Sequence, residues 1–346
     1  MMTVLIVGLG AIGQRHARNL RRLLGDEIRL LACRAHGRSP LLTDQLEVEP
    51  NGDVEGRYGV RVYEDLGQAL GERPTAVFVC NPTSLHVPVA LAAARAGCHL
   101  FVEKPLSNNL EHVADLIEEI DRRALVGMVG YQMRFHPCLL RLCALLETGA
   151  VGSLLAVRIV SAEHLPHWHR YEDYRQSYAA RRELGGGVVL SQIHDLDYAQ
   201  WLFGVPRRLF SVGGHFSSLE VDVEDTASIL MDCVVDGRPL PVHVHQDFVQ
   251  KTPTRTCQVV GEQGEILVDL LASNVRVSDA VGQLVEHFSA EGFDRNQMFL
   301  DELKHFLSCV RGDAAPVVTV REGAESLRIA LAAKESMATG QLVELS

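Results

Sequence analysis

The chain has 346 residues, 47% of them hydrophobic and 22% charged, with a formal net charge of −11. That length exceeds what one hydrophobic core usually serves, so two domains are expected, and the composition excludes a disordered chain. The acidic balance excludes broad phosphate-backbone binding, and with it nucleic acid as a partner, because that needs clustered Lys and Arg.

No apolar run reaches the roughly 18 residues of a membrane span, and no basic leader or cleavage pattern precedes Thr3. The expectation is a cytoplasmic protein that does not engage a membrane. Eight cysteines without a CxxC pair read as reduced, mostly buried thiols.

Thr3 to Val7 reads as a strand, and Gly8-Leu9-Gly10-Ala11-Ile12-Gly13 follows at once, ahead of a helical pattern from Gln14 to Leu24. Strand, glycines, then helix is the context in which GxGxxG signals a dinucleotide. Gly8 permits the turn, Gly10 lets a pyrophosphate approach the backbone, and Gly13 lets helix pack on strand, with Ala11 and Ile12 at the phosphate-facing helix start.

The second strand, Ile28 to Cys33, leads into Arg34-Ala35-His36-Gly37-Arg38-Ser39, where no acid stands to accept from an adenine ribose hydroxyl. Arg34, Arg38 and Ser39 favour NADP(H), since a guanidinium clamps a 2′-phosphate, with NAD(H) as the alternative. A solvated basic loop, or arginines stacked on adenine, competes with that reading.

Residues 40–59 form a polar surface excursion. Val60 to Tyr63 is a short strand, Glu64 to Leu70 a short helix, and Ala76 to Cys80 a fourth strand running into Asn81-Pro82-Thr83-Ser84-Leu85-His86. Cys80, Asn81, Pro82, Thr83 and His86 would lie beside the dinucleotide. For Asn81 a turn role competes equally. His86 opens the helix Val87 to Ala96, which favours a site role over a place on an apolar face. The apolar run His99 to Val102 then ends in Glu103-Lys104-Pro105. Carboxyl ends of parallel strands are where open α/β sheets bind ligands, so Glu103 and Lys104 would reach a cofactor crevice; a plain surface Lys–Glu pair is the competing view.

With a glycine fingerprint at the start, a strand ending in Asn-Pro-x-x-x-His, and Glu-Lys-Pro, the chain resembles the Gfo/Idh/MocA oxidoreductases over nearly its whole length. The resemblance implies that Lys104 lies near the nicotinamide and the reacting hydroxyl, with Glu103 and Pro105 shaping its turn. It implies hydride exchange between a nicotinamide and a sugar-like alcohol or its ketone.

Leu106 to Arg123 reads as one amphipathic helix, and Val126 to Tyr131 as the last strand of the first domain. The expected division is a dinucleotide-binding Rossmann domain over 1–128 and a substrate-binding and oligomerisation domain over 129–346, whose closing helices pack back on the first. Gln132 and Arg134 would border both domains, where pockets form; a structural salt bridge competes for Arg134. Leu139 to Leu146 is a further helix.

In the second domain, Ser153 to Ala162 alternates as a strand, followed by Glu163-His164-Leu165-Pro166-His167-Trp168-His169. Three close histidines invite a metal, but no Cys or carboxylate motif completes a site, so none is expected. A polar, aromatic wall for a sugar pocket is the better reading, with Glu163, His164, Trp168 and Tyr178. Arg181 and Arg182 meet an acidic group on the substrate or are solvated. Gly185-Gly186-Gly187 leads into Val188 to Tyr198, similar to the family's second signature, in which glycines begin a helix bearing an Asp and then a His that faces the nicotinamide. His194 matches that histidine, with Asp197 after it; a core or capping histidine is the competing reading. Where the family carries Asp four residues before the His, this chain has Ser191 three before it, which puts a strict Lys-Asp-His trio in doubt. Lys104 and His194 are the catalytic candidates, with Ser191 as a substrate contact.

From Arg208 onward, alternating segments, including Ala227 to Val235, Leu240 to Phe248, Arg255 to Gly261 and Glu265 to Leu270, predict an antiparallel sheet. His243 and His245 share one face of their strand, with sheet packing favoured over substrate contact. Asn296 to Arg311 and Gly323 to Thr339 are closing helices. The fold expected is an α/β Rossmann domain plus an α+β domain with a large, mostly antiparallel open sheet, and the resemblance implies a homodimer or homotetramer through that sheet.

The reading is an NAD(P)-dependent oxidoreductase of a sugar, polyol or sugar-acid derivative. In oxidation His194, assisted by Lys104, takes the hydroxyl proton while hydride leaves carbon. Two rivals stand beside it: an enzyme holding its cofactor tightly and using transient oxidation to cleave or epimerise a glycoside, and a nonenzymatic NADP-binding sensor.

Overall fold

The computed structural model describes residues 1–34 and 40–345. Its first layer is a six-stranded, all-parallel sheet built from β1 (Met2–Val7), β2 (Ile28–Cys33), β3 (Val60–Tyr63), β4 (Ala76–Val79), β5 (His99–Glu103) and β6 (Gly127–Gly130). The order is β3-β2-β1-β4-β5-β6, so strand direction of travel reverses between β1 and β4, the switch point at which doubly wound sheets bind dinucleotides. These strands are apolar on both sides because both sides are covered.

Helices α1 (Ala11–Leu24), α2 (Val54–Tyr58), α3 (Leu66–Gly71), α4 (His86–Arg95) and α5 (Val113–Arg122) connect the strands. Leu5, Val77, Val79, Leu100 and Val102 pack with Ala90, Ala94, Leu116 and Ile120 on one side. On the other, Val4, Ile6, Phe78 and Phe101 pack with Ala17 and Leu20, and also with Leu303, Phe306 and Leu307 from far along the chain. Phe78 and Phe101 stack at 4.8 Å, and Phe306 meets each edge-on at 5.4 Å.

The helix expected over 106–123 forms only from Val113. Asn109 accepts from the Glu111 amide at 2.9 Å, and His112 sits in the left-handed region at φ 56, so local side-chain bonds win over the apolar spacing of the preceding residues.

After α6 (Pro137–Glu147), β7 (Leu154–Ala162), α7 (Val188–Ser191) and α8 (His194–Phe203) come β8 (Arg208–Gly214), β9 (Thr226–Val235), β10 (Arg238–Asp247), β11 (Thr254–Gly261), β12 (Gly264–Asp269), β13 (Asn274–Asp279) and β14 (Leu284–Ser289). The chain closes with α9 (Arg295–Arg311), α10 (Val320–Thr339) and β15 (Val343–Glu344). The second sheet has nine strands in the order β14-β13-β12-β11-β7-β10-β9-β8-β15, antiparallel throughout except for the parallel pair β7–β10. The mostly antiparallel open sheet read from the alternation is therefore present.

One face of that sheet, with Val157, Ile159, Ile229, Met231, Val244, Val259 and Ile266, is buried in the same core as residues of α8 and α10. The opposite face carries Val212, Leu230 and Val234, all exposed. Thr319 caps α10 with a reciprocal Glu322 bond, and the segment before it pairs antiparallel with β6 through Met128–Thr319 and a 3.0 Å bond from the Val129 amide to the Val318 carbonyl. No helix among the described residues is long and apolar enough to cross a membrane.

Candidate active site

The glycine loop is built as its spacing predicts. Gly8 has φ +98, and a Cβ there would lie 2.7 Å from the Cys80 carbonyl oxygen and 2.8 Å from the Asn81 amide, so β1 and β4 approach closely only because no side chain intervenes. A Cβ on Gly13 would overlap the Gly8 carbonyl. Gly10 is different: no protein atom lies within 4 Å of a Cβ built there, so its smallness serves open space in front of α1. Gly10 is the N-cap of that helix and makes no side-chain cap, the first turn carries no acid, and Ala11 and Ile12 are only partly covered. Free amides at a helix start with nothing negative beside them fit a pyrophosphate.

Arg34 follows β2, and its guanidinium is ion-paired with Glu55 of α2. An acid thus stands at this strand end, contributed by a distant segment that the search for an acid about 20 residues after the glycines did not reach. Arg38 and Ser39 lie outside the described residues.

At the end of β4, Cys80 is buried, and burial above all, then Glu103, pushes its thiol well above the ordinary value; it acts through its backbone against Gly8. Asn81 Oδ1 is buried without a protein partner. Pro82 turns the chain, and Thr83 is buried against Gly185, whose Cβ would lie 2.8 Å from that of Thr83. Both ring nitrogens of His86 face backbone carbonyls. Its Nδ1 is 2.7 Å from the Pro105 carbonyl and its Nε2 2.8 Å from the Asn81 carbonyl, so the ring ties two loops together, and the site role favoured for it gives way to a structural one.

The turn after β5 separates its residues. Glu103 points inward to His16 of α1 at 2.6 Å, both buried, and so stands behind the turn and away from the crevice. Lys104 points the other way. Its Nζ donates to the Ser191 carbonyl at 2.8 Å, across from the first sheet to α7.

On that opposite wall the glycine triplet docks closely. Gly185 packs on Thr83, Gly186 on the Tyr178 and Ala179 carbonyls, and Gly187, at φ +105, beside the Glu224 carboxylate. The single helix expected after it is broken at Gln192 (φ −100, ψ 27), which makes His194 the first residue of α8. His194 is buried with its Nε2 3.2 Å from the Gln132 amide nitrogen and its Nδ1 free of protein partners. Burial first, then the charges of Lys104, Arg255 and Arg295, push its pKa well below the usual histidine value. The ring is therefore neutral at physiological pH. Ser191 Oγ is also buried and unpartnered.

Arg134 is spent elsewhere. Nε and Nη2 each bond Asp197 at 2.9 Å in a buried, bidentate pair, so its substrate-contact reading yields to the structural one. Asp195 is likewise buried and held by Arg255 at 3.1 Å. The sequence offered a salt bridge as one of two readings for Arg134, but neither its partner nor the Asp195–Arg255 pair was legible, since the partners come from other elements.

The loop after β7 is brought to the His194 turn by one carbonyl: Asp247 O accepts from the Glu163 amide at 3.1 Å and from the Gln192 side chain at 3.2 Å. Trp168 packs edge-on against Phe248 at 5.2 Å, His164 against His167 at 4.5 Å, and Trp168 Nε1 and His164 Nδ1 lack partners. Tyr178 is partly buried against the same core. Among the described residues no His, Cys, Asp and Glu group could hold a metal ion. Arg182 is taken by Asp222 at 2.7–2.9 Å, and Arg181 lines a separate hollow of ≈ 460 Å³ with Arg175, His215 and Glu220, away from Lys104.

The open helix start at Gly10 and the buried, unpartnered Asn81, Ser191 and His194 atoms sit at the carboxyl ends of β1 and β4 and on α7 and α8, each unpaired group costing about 1–3 kcal/mol until something bonds it. A dinucleotide fits this donor set: amides for pyrophosphate, amide and hydroxyl groups for ribose and carboxamide.

Comparison with known proteins agrees. Residues 2–131 match the Gfo/Idh/MocA oxidoreductase family, NAD-binding Rossmann fold, and residues 145–345 its C-terminal alpha/beta domain. The chain is 28% identical to the myo-inositol 2-dehydrogenase of Thermotoga maritima over 99% of this chain and 98% of that one. It is 25% identical to the scyllo-inositol 2-dehydrogenase (NAD(+)) of Bacillus subtilis over 98% and 95%. Among solved structures, the WlbA dehydrogenase of Bordetella pertussis, in complex with NADH and UDP-GlcNAcA, superposes with a TM-score of 0.80 at 21% identity, covering 100% and 99% of the two chains. With both of its folded layers matched, the chain belongs to the Gfo/Idh/MocA oxidoreductase family and carries that family's NAD-binding Rossmann domain.

Proposed function

We propose that this protein moves hydride between a nicotinamide dinucleotide and a hydroxyl or ketone of a sugar, polyol or sugar-acid derivative, with Lys104 and His194 as its catalytic residues. The observation that carries the reading is the Lys104 ammonium bonded at 2.8 Å to the Ser191 carbonyl, three residues before His194, whose buried, neutral imidazole senses the lysine's charge. When bound, the nicotinamide supplies the hydride acceptor or donor. His194 accepts the hydroxyl proton at Nδ1, the nitrogen without a protein partner. That requires the tautomer with its proton on Nε2 and the Gln132 amide turned to present its oxygen, an orientation told only by partners. Lys104 stabilises negative charge on the reacting oxygen, and Ser191 Oγ offers that oxygen or a neighbouring hydroxyl a bond. In reduction the proton moves back from His194.

Arg34 supports NADP(H) as the cofactor. Its partner Glu55 favours a second reading, NAD(H), since a carboxylate accepts from a 2′-hydroxyl and repels a 2′-phosphate. The cysteines, all free and seven of the eight buried, support a cytoplasmic setting. The exposed Val212, Leu230 and Val234 support a homo-oligomer through the open sheet, to be tested by sedimentation of Leu230→Asp.

Titration with NAD(H) and NADP(H), followed by turnover on polyols and sugars, tests the main reading. Cofactor-dependent turnover lost in Lys104→Met and His194→Gln upholds it; turnover unchanged in both rejects it. Cofactor that purifies bound and never exchanges points instead to internal redox.

A further inference from the structure

His16 stands on α1 three residues after Gly13, wholly buried, and takes no part in the chemistry proposed for Lys104 and His194. Its ring lies among Phe78 at 5.3 Å, Phe101 at 5.0 Å and Phe299 at 6.5 Å, a cage that an apolar side chain would fill without burying a polar atom. Nδ1 has no partner there. What the imidazole gains is one bond: Nε2–H donates to the Glu103 carboxylate at 2.6 Å through Oε1.

The other oxygen of that carboxylate, Oε2, accepts from the backbone amide of Lys104 at 3.3 Å. Gly130 of β6 leaves the room for it: a Cβ there would lie 3.3 Å from Glu103 Oε1 and 3.1 Å from the Phe101 ring, so a side chain would press on the carboxylate. On the far side of the turn, the Pro105 carbonyl lies 2.7 Å from His86 Nδ1. The backbone is thus held before and after Lys104, while the lysine side chain crosses to α7, where Nζ donates to the Ser191 carbonyl at 2.8 Å. Contact runs from α1, the helix with the open start at Gly10, through His16 and Glu103 to the residue that carries the ammonium.

We propose that His16 is a positioning residue: by holding the Glu103 side chain it fixes the backbone at Lys104 and so aims the ammonium at the Ser191 turn. The consequence for catalysis rests on Lys104 being a catalytic residue. A bond to a carboxylate in a buried, apolar cage is stronger and more directional than one in water. Small errors matter at such a place, because a displacement of about 1 Å in a catalytic group costs about 10²-fold in rate. Packing alone would be served by a leucine or phenylalanine at position 16; the single bond to Glu103 is what the imidazole adds.

The test reads the lysine itself and needs no substrate. Lys104 is one of four lysines, with Lys251, Lys304 and Lys334. The full chain is labelled with acetic anhydride, and mass spectrometry compares acetylation of Lys104 with that of the exposed Lys251. In His16→Leu, Lys104 should label about fivefold faster than in the parent, the change that loosening one hydrogen bond brings. His16→Gln, whose amide can donate to Glu103, should stay within about twofold of the parent. Because His16→Leu strands a buried carboxylate and can unfold the protein, a double variant, His16→Leu with Glu103→Met, removes both polar side chains together; it should melt as cooperatively as the parent and label Lys104 about fivefold faster. Labelling within about twofold of the parent in that double variant overturns the proposal, as does His16→Gln labelling as fast as His16→Leu. A double variant that does not fold overturns it too, since the pair would then serve the fold and not the lysine. Turnover that survives Lys104→Met would remove the lysine from catalysis and leave the labelling result standing, whereas unchanged labelling defeats the inference with the oxidoreductase reading untouched.

Discussion

Arg134 grips Asp197 through two parallel 2.9 Å bonds, and this buried pair fastens the turn after β6 to the helix that begins with His194. Ser326 of α10 adds a third bond to the same carboxylate at 3.0 Å, so three segments meet on one side chain. Breaking such a pair from one end strands a charge in the interior, at a cost of about 3–5 kcal/mol. Arg134→Met and Asp197→Asn are each expected to lower stability by that order in chemical denaturation. A loss under about 1 kcal/mol in either would show that the pair is not what holds α8.

The proposed catalytic pair, Lys104 and His194, predicts a displaced acid limb. Burial and then Lys104 push His194 well below the ordinary histidine value near 6.5. For oxidation the ring must be neutral, so kcat/KM of the free enzyme rises with pH through that lowered value and is level above it. Lys104→Met removes a cation beside the ring, which should move the limb upward while cutting the rate by about 10²–10⁴-fold. A limb that stays put in Lys104→Met would show that the two side chains do not sense each other.

His136 supplies a pH effect on stability in place of one on rate. It caps α6, its Nδ1 accepting from the Cys138 amide at 3.1 Å, a bond that exists only while Nδ1 is unprotonated. Burial pushes its pKa down to about 4, with Arg255 adding to the shift and the Leu270 carbonyl opposing it. Between about 4 and the unfolded value near 6.5 the unfolded chain binds a proton that the folded one refuses. Stability is therefore full above 6.5 and falls as pH drops through the window, by on the order of 3 kcal/mol. His136→Asn keeps an acceptor at the cap and should flatten that slope in urea denaturation between pH 4 and 6.5.

Glu302 runs in the opposite sense. It is wholly buried on α9, neither oxygen has a partner, and burial, then Glu103 and Asp197, hold its carboxyl well above the ordinary range. The folded protein keeps a proton there that the unfolded chain releases above about 4.5. This contribution is fully present below 4.5 and is lost as pH rises toward the folded value. Glu302→Gln should remove that decline, leaving the variant more stable than the parent at pH 8 but not at pH 4.5. A parent and variant with parallel pH curves would place an ionised carboxylate at this site.

The strands of the first sheet were legible because strands buried on both sides must be apolar throughout, and β5 announced its end by changing abruptly from Val102 to Glu103-Lys104-Pro105. The second sheet was legible by alternation. What remained hidden depends on partners far apart in sequence. Glu103 looked like a crevice residue until His16, 87 positions earlier, claimed it. Arg255 and Arg295 carried no motif, and Glu55 reaches Arg34 only through the fold. His86 stood where a ligand contact belongs, yet two carbonyls occupy its ring. Spacing reports a face or a turn; it does not report which of two neighbours wins a side chain.

The chain passes between its two sheets more than once. It leaves the first sheet after β6, returns to lay α9 against Phe78 and Phe101, strengthens the edge of β6 with residues 318 and 319, and only then goes back as α10. A hinge needs a few residues that alone join two bodies; here the chain crosses between the sheets after β6, before α9 and at the start of α10, so a swing of one sheet from the other would have to bend all three crossings together. Three joints that must bend in concert hold the two sheets together more firmly than one linker would. Substrate selection then falls to the loops at the crevice mouth, and a variant that accepts a bulkier molecule is to be sought among residues 163–168, not in a linker.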